Sequence, residues 1–224
     1  MRGVDLEAFT PRERLAWALD TYGDGLLFTS SFGAGSGVLL HLWSELAPRR
    51  PVVFLDTGFL FPETLAYKDE LARRLGLNVE VVRPALSASE FTRAHGDDIQ
   101  RRDADFCCKK NKIEPLEPYE RAAKAWISGL RRDQGPTRKD LPIVLAQESG
   151  PTKIHPIATM TRDDVRGYML AHDIPEHPLR ARRYLSIGCA PCTAPVEDDD
   201  ADERAGRWAF SGKTECGLHG RFTT

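Results

Sequence analysis

At 224 residues, with 41% apolar and 29% charged side chains, the chain has the composition of a soluble globular protein: one large domain, or one domain plus an appendage. A formal net charge of -2 argues against nucleic-acid affinity by bulk electrostatics, and the apolar runs are too short to span a membrane. The opening "MRGVDLEAFT" lacks the basic-then-apolar layout of a signal peptide, so the chain is predicted to be cytoplasmic, with neither a membrane nor a nucleic acid as partner.

In chain order, "GLLFTS" (25–30) predicts a buried strand, followed by the small-residue loop "SFGAGS" and a helix over "GVLLHLWSEL". "PVVFLD" (51–56) predicts a second strand. "PETLAYKDELARRLG" predicts a helix, with Pro62 near its start and Gly76 just past its end. "NVEVVRP" and "AWISGLRRDQ" predict a third and a fourth strand, "LPIVLAQ" and "KIHPI" weaker ones, and "TRDDVRGYMLAHD" a helix capped by Thr161. This alternation implies an α/β fold: a doubly wound, mostly parallel sheet covered on both faces. Beyond Pro178 the pattern dissolves into Pro, Gly and acidic residues. Two units are therefore expected, a nucleotide-binding α/β domain over 1–178 and an irregular C-terminal segment over 179–224 that folds over the site.

The five cysteines are an odd number in a reducing compartment, which argues against structural disulfides. "FCCKKNK" supplies the adjacent pair Cys107 and Cys108, and "GCAPC" supplies Cys189 and Cys192. Two such pairs suggest one tetrathiolate metal site. Adjacent cysteines point about 100° apart in a helix and oppositely in a strand, which suits a 4Fe–4S cluster, with its separate iron corners, better than one tetrahedral zinc. Zinc, a redox dithiol and plain buried thiols are the alternatives. Cys216, in "SGKTECGLHG", is then free to react, with Lys213 and His219 placed to favour its thiolate. A solvent-exposed tail cysteine with no role is the plain alternative.

In parallel sheets ligands bind beyond the carboxyl ends of the strands. Three loops fall there. "SFGAGS", with Ser31, Phe32, Gly33 and Ser36, offers amides and a helix N-terminus to an anion; it is not a Walker A loop, because the G-K-[ST] ending is absent. "DTGFLFPE" brings Thr57 and Gly58, and "SGLRRDQGPTR" brings Gly129, Arg131, Arg132 and Arg138. Lys112, four residues past Cys108, and Arg204 and Arg207 of "ERAGRW" complete the cationic set, which points to an anionic nucleotide or a sulfate ester. Each loop taken alone also reads as an ordinary solvated turn. The acidic run "EDDDADE" reads as a solvated linker, His155 and His177 as structural residues beside prolines, and His41 as a packing histidine.

Taken together, "SSFGAGSGVLLHL", "FLDTGFLFPETL", "CCKKNKIEPL", "WISGLRRDQGPTR", "KIHPI", "GCAPCTAPV", "GRW" and "KTECGLH", in order from about residue 30 to 220, resemble the assimilatory adenylyl-sulfate/phosphoadenylyl-sulfate reductase family. The resemblance implies an adenine nucleotide alpha hydrolase-like fold, related to ATP pyrophosphatases, with Cys216 as nucleophile on a catalytic tail and thioredoxin as electron donor. It implies that Ser31, Phe32, Gly33, Ser36, Thr57, Gly58, Lys112, Gly129, Arg131, Arg132, Arg204, Arg207 and His219 serve the substrate. Branches of the family that carry CC…C-x-x-C resemble cluster enzymes preferring adenylyl sulfate, and all four cysteines are present. Asn111 stands where the family often has arginine, and Gly135 where serine is common. The rival within the family is the 3'-phosphorylated nucleotide as substrate. An ATP-dependent adenylating or sulfur-transfer enzyme on the same fold would need an "SGGxDS" loop, where this chain has Phe32 and Gly35 in place of the first Gly and the Asp. The remaining alternative is a zinc-stapled binding module without catalysis.

Overall fold

The computed structural model describes residues 4–197, 202–211 and 213–218. Helix α1 (Pro11–Tyr22) opens on a capping box, in which the Thr10 hydroxyl accepts from the Glu13 amide and the Glu13 carboxylate accepts from the Thr10 amide. The chain then alternates: β1 (Leu26–Phe28), α2 (Gly37–Leu46), β2 (Pro51–Leu55), α3 (Pro62–Leu75) and β3 (Asn78–Val82). Helices α4 (Ala88–His95), α5 (Ile99–Arg102), α6 (Ala104–Cys108) and α7 (Glu114–Ala122) lead into β4 (Ala125–Ile127). Strands β5 (Val144–Leu145) and β6 (Thr152–Ile154) and helix α8 (Arg162–Ala171) follow.

Strands β1, β4 and β6 pair in parallel, and β5 closes the edge antiparallel to β6. Strands β2 and β3 form a parallel pair, linked to β1 by a bridge between Thr29 and Val53 in which the Ser30 amide donates to the Val53 carbonyl at 3.0 Å. Side-chain alternation sends Phe28, Val52, Phe54 and Ile127 into one core, shared with α1, α2, α3 and α8, and Val53 and Trp126 into another beneath Leu116 of α7. Both faces are covered, which is the doubly wound, mostly parallel α/β architecture that the sequence predicts. Each large apolar side chain removed from water here, Trp43 and Phe54 among them, contributes on the order of 2–3 kcal/mol.

Pro62 occupies the start of α3, Gly76 ends it at φ +62°, and Thr161 caps α8, all as the sequence reads. "AWISGLRRDQ" pairs only over 125–127, and "LPIVLAQ" gives just two paired residues at an edge. Helices α1, α4, α6 and α7, which the sequence reading does not single out, each bury only one to three residues. Between α6 and α7 the chain stays helical through a π turn, Lys109–Ile113. Pro115 and Pro118 have no amide hydrogen to donate to the carbonyls of Asn111 and Glu114, so regular i-to-i−4 bonding lapses there.

The C-terminal segment is irregular and is stitched down by its backbone. Ala190 N donates to Phe59 O at 2.7 Å, Ala194 N to Gly206 O at 2.8 Å, and Trp208 N to Cys192 O at 3.1 Å. Among the described residues, no helix is long and apolar enough to cross a membrane.

Candidate active site

Beyond the carboxyl ends of β1, β2 and β4 lies a cavity of about 250 Å³. Ser31, Gly33 and Ser36 wall it from the loop after β1, Thr57 from the loop after β2, and Gly129 and Arg131 from the loop after β4. Lys112 enters from the π turn, Cys189, Arg204 and Arg207 from the C-terminal segment, and Cys216 from the tail. The sheet thus gathers nine of the thirteen residues proposed to bind substrate with the proposed nucleophile around one space, with Phe32, Gly58 and Arg132 off its walls and His219 outside the described residues.

Those three positions have physical explanations. Phe32 adopts φ +49°, which turns its ring inward to meet Phe54 edge-on at 5.5 Å, and only its neighbours face the cavity. Gly58, at φ +76°, makes the turn after β2 against Ala88. Arg131 has extended backbone, so its successor points the other way. Arg132 accordingly donates to the Leu141 carbonyl at 2.8 Å and to Glu7 at 2.6 and 3.1 Å.

The cavity's arginines are mostly paired. Arg131, 2% exposed, donates to Asp133 at 3.0 Å and to Glu203 at 2.5 Å. Glu203 belongs to the acidic run expected to be a solvated linker; here a buried guanidinium draws its carboxylate inward. Arg138 and Arg204 both meet Glu215. Among the described residues, Lys112 and Arg207 have no carboxylate partner. Burial alone would lower the pKa of Lys112, but the charges of Cys189, Cys216 and Cys108 outweigh it and hold the ammonium protonated well above its usual range. The Arg207 guanidinium lies 4.5 Å from the centroid of Trp208 and is flush against Gly188, where an added Cβ would collide with it. The ammonium of Lys213, expected to act on Cys216, is held by the Asp105 carboxylate at 2.5 Å and the Ala104 carbonyl at 3.3 Å, which fastens the tail to α6.

The four other cysteines are buried together beside the cavity, Cys107 and Cys108 at the end of α6 and Cys189 and Cys192 on the segment stitched to Phe59 and Trp208. Cys216 packs against the cluster that Cys189, Cys192 and Trp208 form. Burial, then the charges of Cys108 and Cys189, push the Cys107 thiol up to about 12; burial and Cys189 push Cys192 up to about 11. Cys108 is raised by burial against the opposing pull of Lys112 and Lys213. Thiols so placed ionise only against a multivalent positive charge. Among the described residues, no three His, Cys, Asp or Glu side chains converge on a point that a single ion would fill. Four thiols as the donor set fit an iron–sulfur cluster or a tetrathiolate zinc. The Thr57 hydroxyl lies 3.3 Å from Cys189 Sγ, and Asn111 Nδ2 donates to the Cys107 carbonyl at 3.0 Å and lies 3.7 Å from its sulfur. The indole Nε1 of Trp208 is buried without a hydrogen-bond partner in the same cluster.

Sequence reasoning missed Glu203, Gln134 and Gly188 on the cavity wall, and Glu215, which pairs with the lining residues Arg138 and Arg204. Glu215 stood in the most specific motif of the chain, beside the cysteine, and Gly188 directly before the C-x-x-C. The histidines are structural as expected: His41 Nδ1 meets the Tyr168 hydroxyl at 2.8 Å, His177 meets Thr64, and His155 donates to the Pro142 carbonyl.

Comparison with known proteins matches residues 25–195 to the phosphoadenosine phosphosulfate reductase domain. Over 219 residues, 97% of this chain and 92% of the relative, the sequence is 42% identical to adenosine 5'-phosphosulfate reductase of Streptomyces coelicolor. It is 44% identical over 217 residues, 95% of this chain and 90% of the relative, to phosphoadenosine 5'-phosphosulfate reductase of Gloeobacter violaceus. The crystal structure of phosphoadenylyl-sulfate reductase from Candida auris, a phosphate complex, superposes with a TM-score of 0.75 at 27% identity, covering 86% of this chain and 93% of that one.

Proposed function

The chain belongs to the phosphoadenosine phosphosulfate reductase family and is an oxidoreductase of sulfonucleotides, and on that premise we propose that it reduces adenylyl sulfate to sulfite and AMP in assimilatory sulfate reduction in the cytoplasm. The observation that carries this reading is the meeting of Cys216, Lys112 and Arg207 on one cavity at the carboxyl ends of the strands. In the proposed reaction the Cys216 thiolate attacks the sulfur of adenylyl sulfate. A sulfur–sulfur bond forms, the bond from sulfur to the bridging oxygen breaks, and its electron pair leaves on the phosphate of AMP. The barrier is the approach of an anion to an anion. Lys112 and Arg207, with no carboxylate partners among the described residues, neutralise the sulfonate and phosphate oxygens, so catalysis is positional and electrostatic. Ser31, Gly33 and Ser36, with Thr57 and Gly129, line the same cavity and would take the nucleotide.

The S-sulfocysteine left on Cys216 is discharged by a dithiol donor of the thioredoxin type. One donor thiolate attacks Cys216 Sγ and sulfite leaves with the bonding pair; the second donor thiol resolves the mixed disulfide. Two electrons thus pass from the dithiol to the sulfur. Cys107, Cys108, Cys189 and Cys192 would hold a 4Fe–4S cluster. When bound it supplies fixed positive charge that keeps four buried thiolates and the surrounding segment in place. The tetrad of cysteines favours adenylyl sulfate over its 3'-phosphorylated analogue.

The test is a single turnover on anaerobic protein without reductant, with each nucleotide in a separate reaction and peptide masses as readout. A sulfonate adduct on the Cys216 peptide, formed faster from adenylyl sulfate, released as sulfite by reduced thioredoxin and absent in Cys216→Ser, is the expected result. Faster adduct formation from the 3'-phosphorylated nucleotide would reverse the substrate assignment. No adduct from either, with the protein folded and its iron present, would end the reductase reading for this site.

A further inference from the structure

The residue preceding the tail cysteine, Glu215, is held by two arginines. Arg138 donates to the Glu215 carboxylate from Nε at 2.7 Å and from a terminal nitrogen at 2.6 Å, and the Thr137 hydroxyl lies 3.5 Å from the same carboxylate. Arg204 sits 3.3 Å from Glu215 and donates to the Thr214 carbonyl at 2.7 Å. Arg138 is 3% exposed and is itself oriented by Gln134, whose side-chain oxygen accepts from it at 2.5 Å. Both arginines line the cavity, and so does Cys216. With this clamp closed the cavity still holds about 250 Å³.

We propose that Glu215 is a positioning residue: its ion pairs with Arg138 and Arg204 dock the tail and set Cys216 on the cavity wall. The bidentate geometry suits this task, because a planar guanidinium fixes a carboxylate in orientation as well as position. A fork buried beneath the tail fixes the adjacent sulfur to within the tolerance that attack on a bound ligand requires. The identity of that ligand rests on the function proposed above; the docking of the tail does not.

Three readouts on Glu215→Gln test the clamp. Tryptic cleavage after Lys213 in the free holoenzyme, followed by mass, is expected to accelerate about tenfold or more as the tail is released. The Kd of AMP, measured by equilibrium dialysis, is expected to stay within threefold of wild type. Adduct formation on Cys216 at saturating adenylyl sulfate is expected to slow by about 10²-fold. Arg138→Gln should release the tail as Glu215→Gln does, and the double variant should add nothing further; should Arg138→Gln not fold, the Glu215→Gln readouts decide alone. Unchanged cleavage, an unchanged adduct rate, or a shift in AMP affinity beyond threefold in either direction overturns the proposal. If the wild-type protein forms no adduct, the reductase reading fails separately, and cleavage and AMP affinity still decide the clamp.

Discussion

The hydroxyl of Thr57 lies 3.3 Å from the sulfur of Cys189, both of them buried at the edge of the cavity. A hydroxyl there stabilises a thiolate, and one turn of loop after β2 thereby joins the sheet to the cysteine tetrad. Thr57→Val keeps the shape and removes the donor, at a cost of about 1 kcal/mol in folding. Faster loss of iron to a chelator than in wild type, read from visible absorption, is expected. Equal rates of loss would show that the hydroxyl does not act on the sulfur.

Lys112→Ala removes a buried ammonium set among the sulfurs of Cys189, Cys216 and Cys108. Single-turnover adduct formation should fall by about 10²-fold, on the order of 3 kcal/mol of transition-state stabilisation. Iron content serves as the control. A rate within threefold of wild type at full iron occupancy would remove Lys112 from the chemistry.

Gly188→Ala places a methyl group where the Arg207 guanidinium now lies. The arginine is confined on its other side by Trp208, so it has to leave its seat. The expected result is weaker binding of adenylyl sulfate with the thermal midpoint nearly unchanged. Arg207→Ala should show the same loss, and the double variant no more than either single one.

His177 and His155 are buried and neutral. The Leu179 amide donates to His177 Nδ1 at 3.2 Å, so the ring proton sits on Nε2, 3.0 Å from the Thr64 hydroxyl. Burial pulls both rings down to about 4 from an ordinary 6.5. A depressed folded-state pKa means that the unfolded chain takes up the proton first. The stability is therefore fully present above pH 6.5 and is lost as the pH falls toward 4. At pH 5 the loss is about 2 kcal/mol per histidine. Urea midpoints at pH 7.5 and pH 5 should show this drop, with a shallower one in His177→Gln; parallel pH dependences in the two proteins would sink the assignment.

The sequence by itself determined the strand–helix alternation, the helix caps at Pro62, Gly76 and Thr161, and the two cysteine pairs and lone tail cysteine. These are local signals: apolar period, cap chemistry and spacing are all written in neighbouring residues. Only the tertiary structure decided that Arg131 faces the cavity while Arg132 reaches Glu7, because the choice depends on the extended backbone at Arg131 and on a carboxylate 125 residues away in sequence. It alone drew Glu203 out of an acidic run and Glu215 onto Arg138, since a buried guanidinium takes whichever carboxylate the fold brings within reach, and sequence distance carries no information about that.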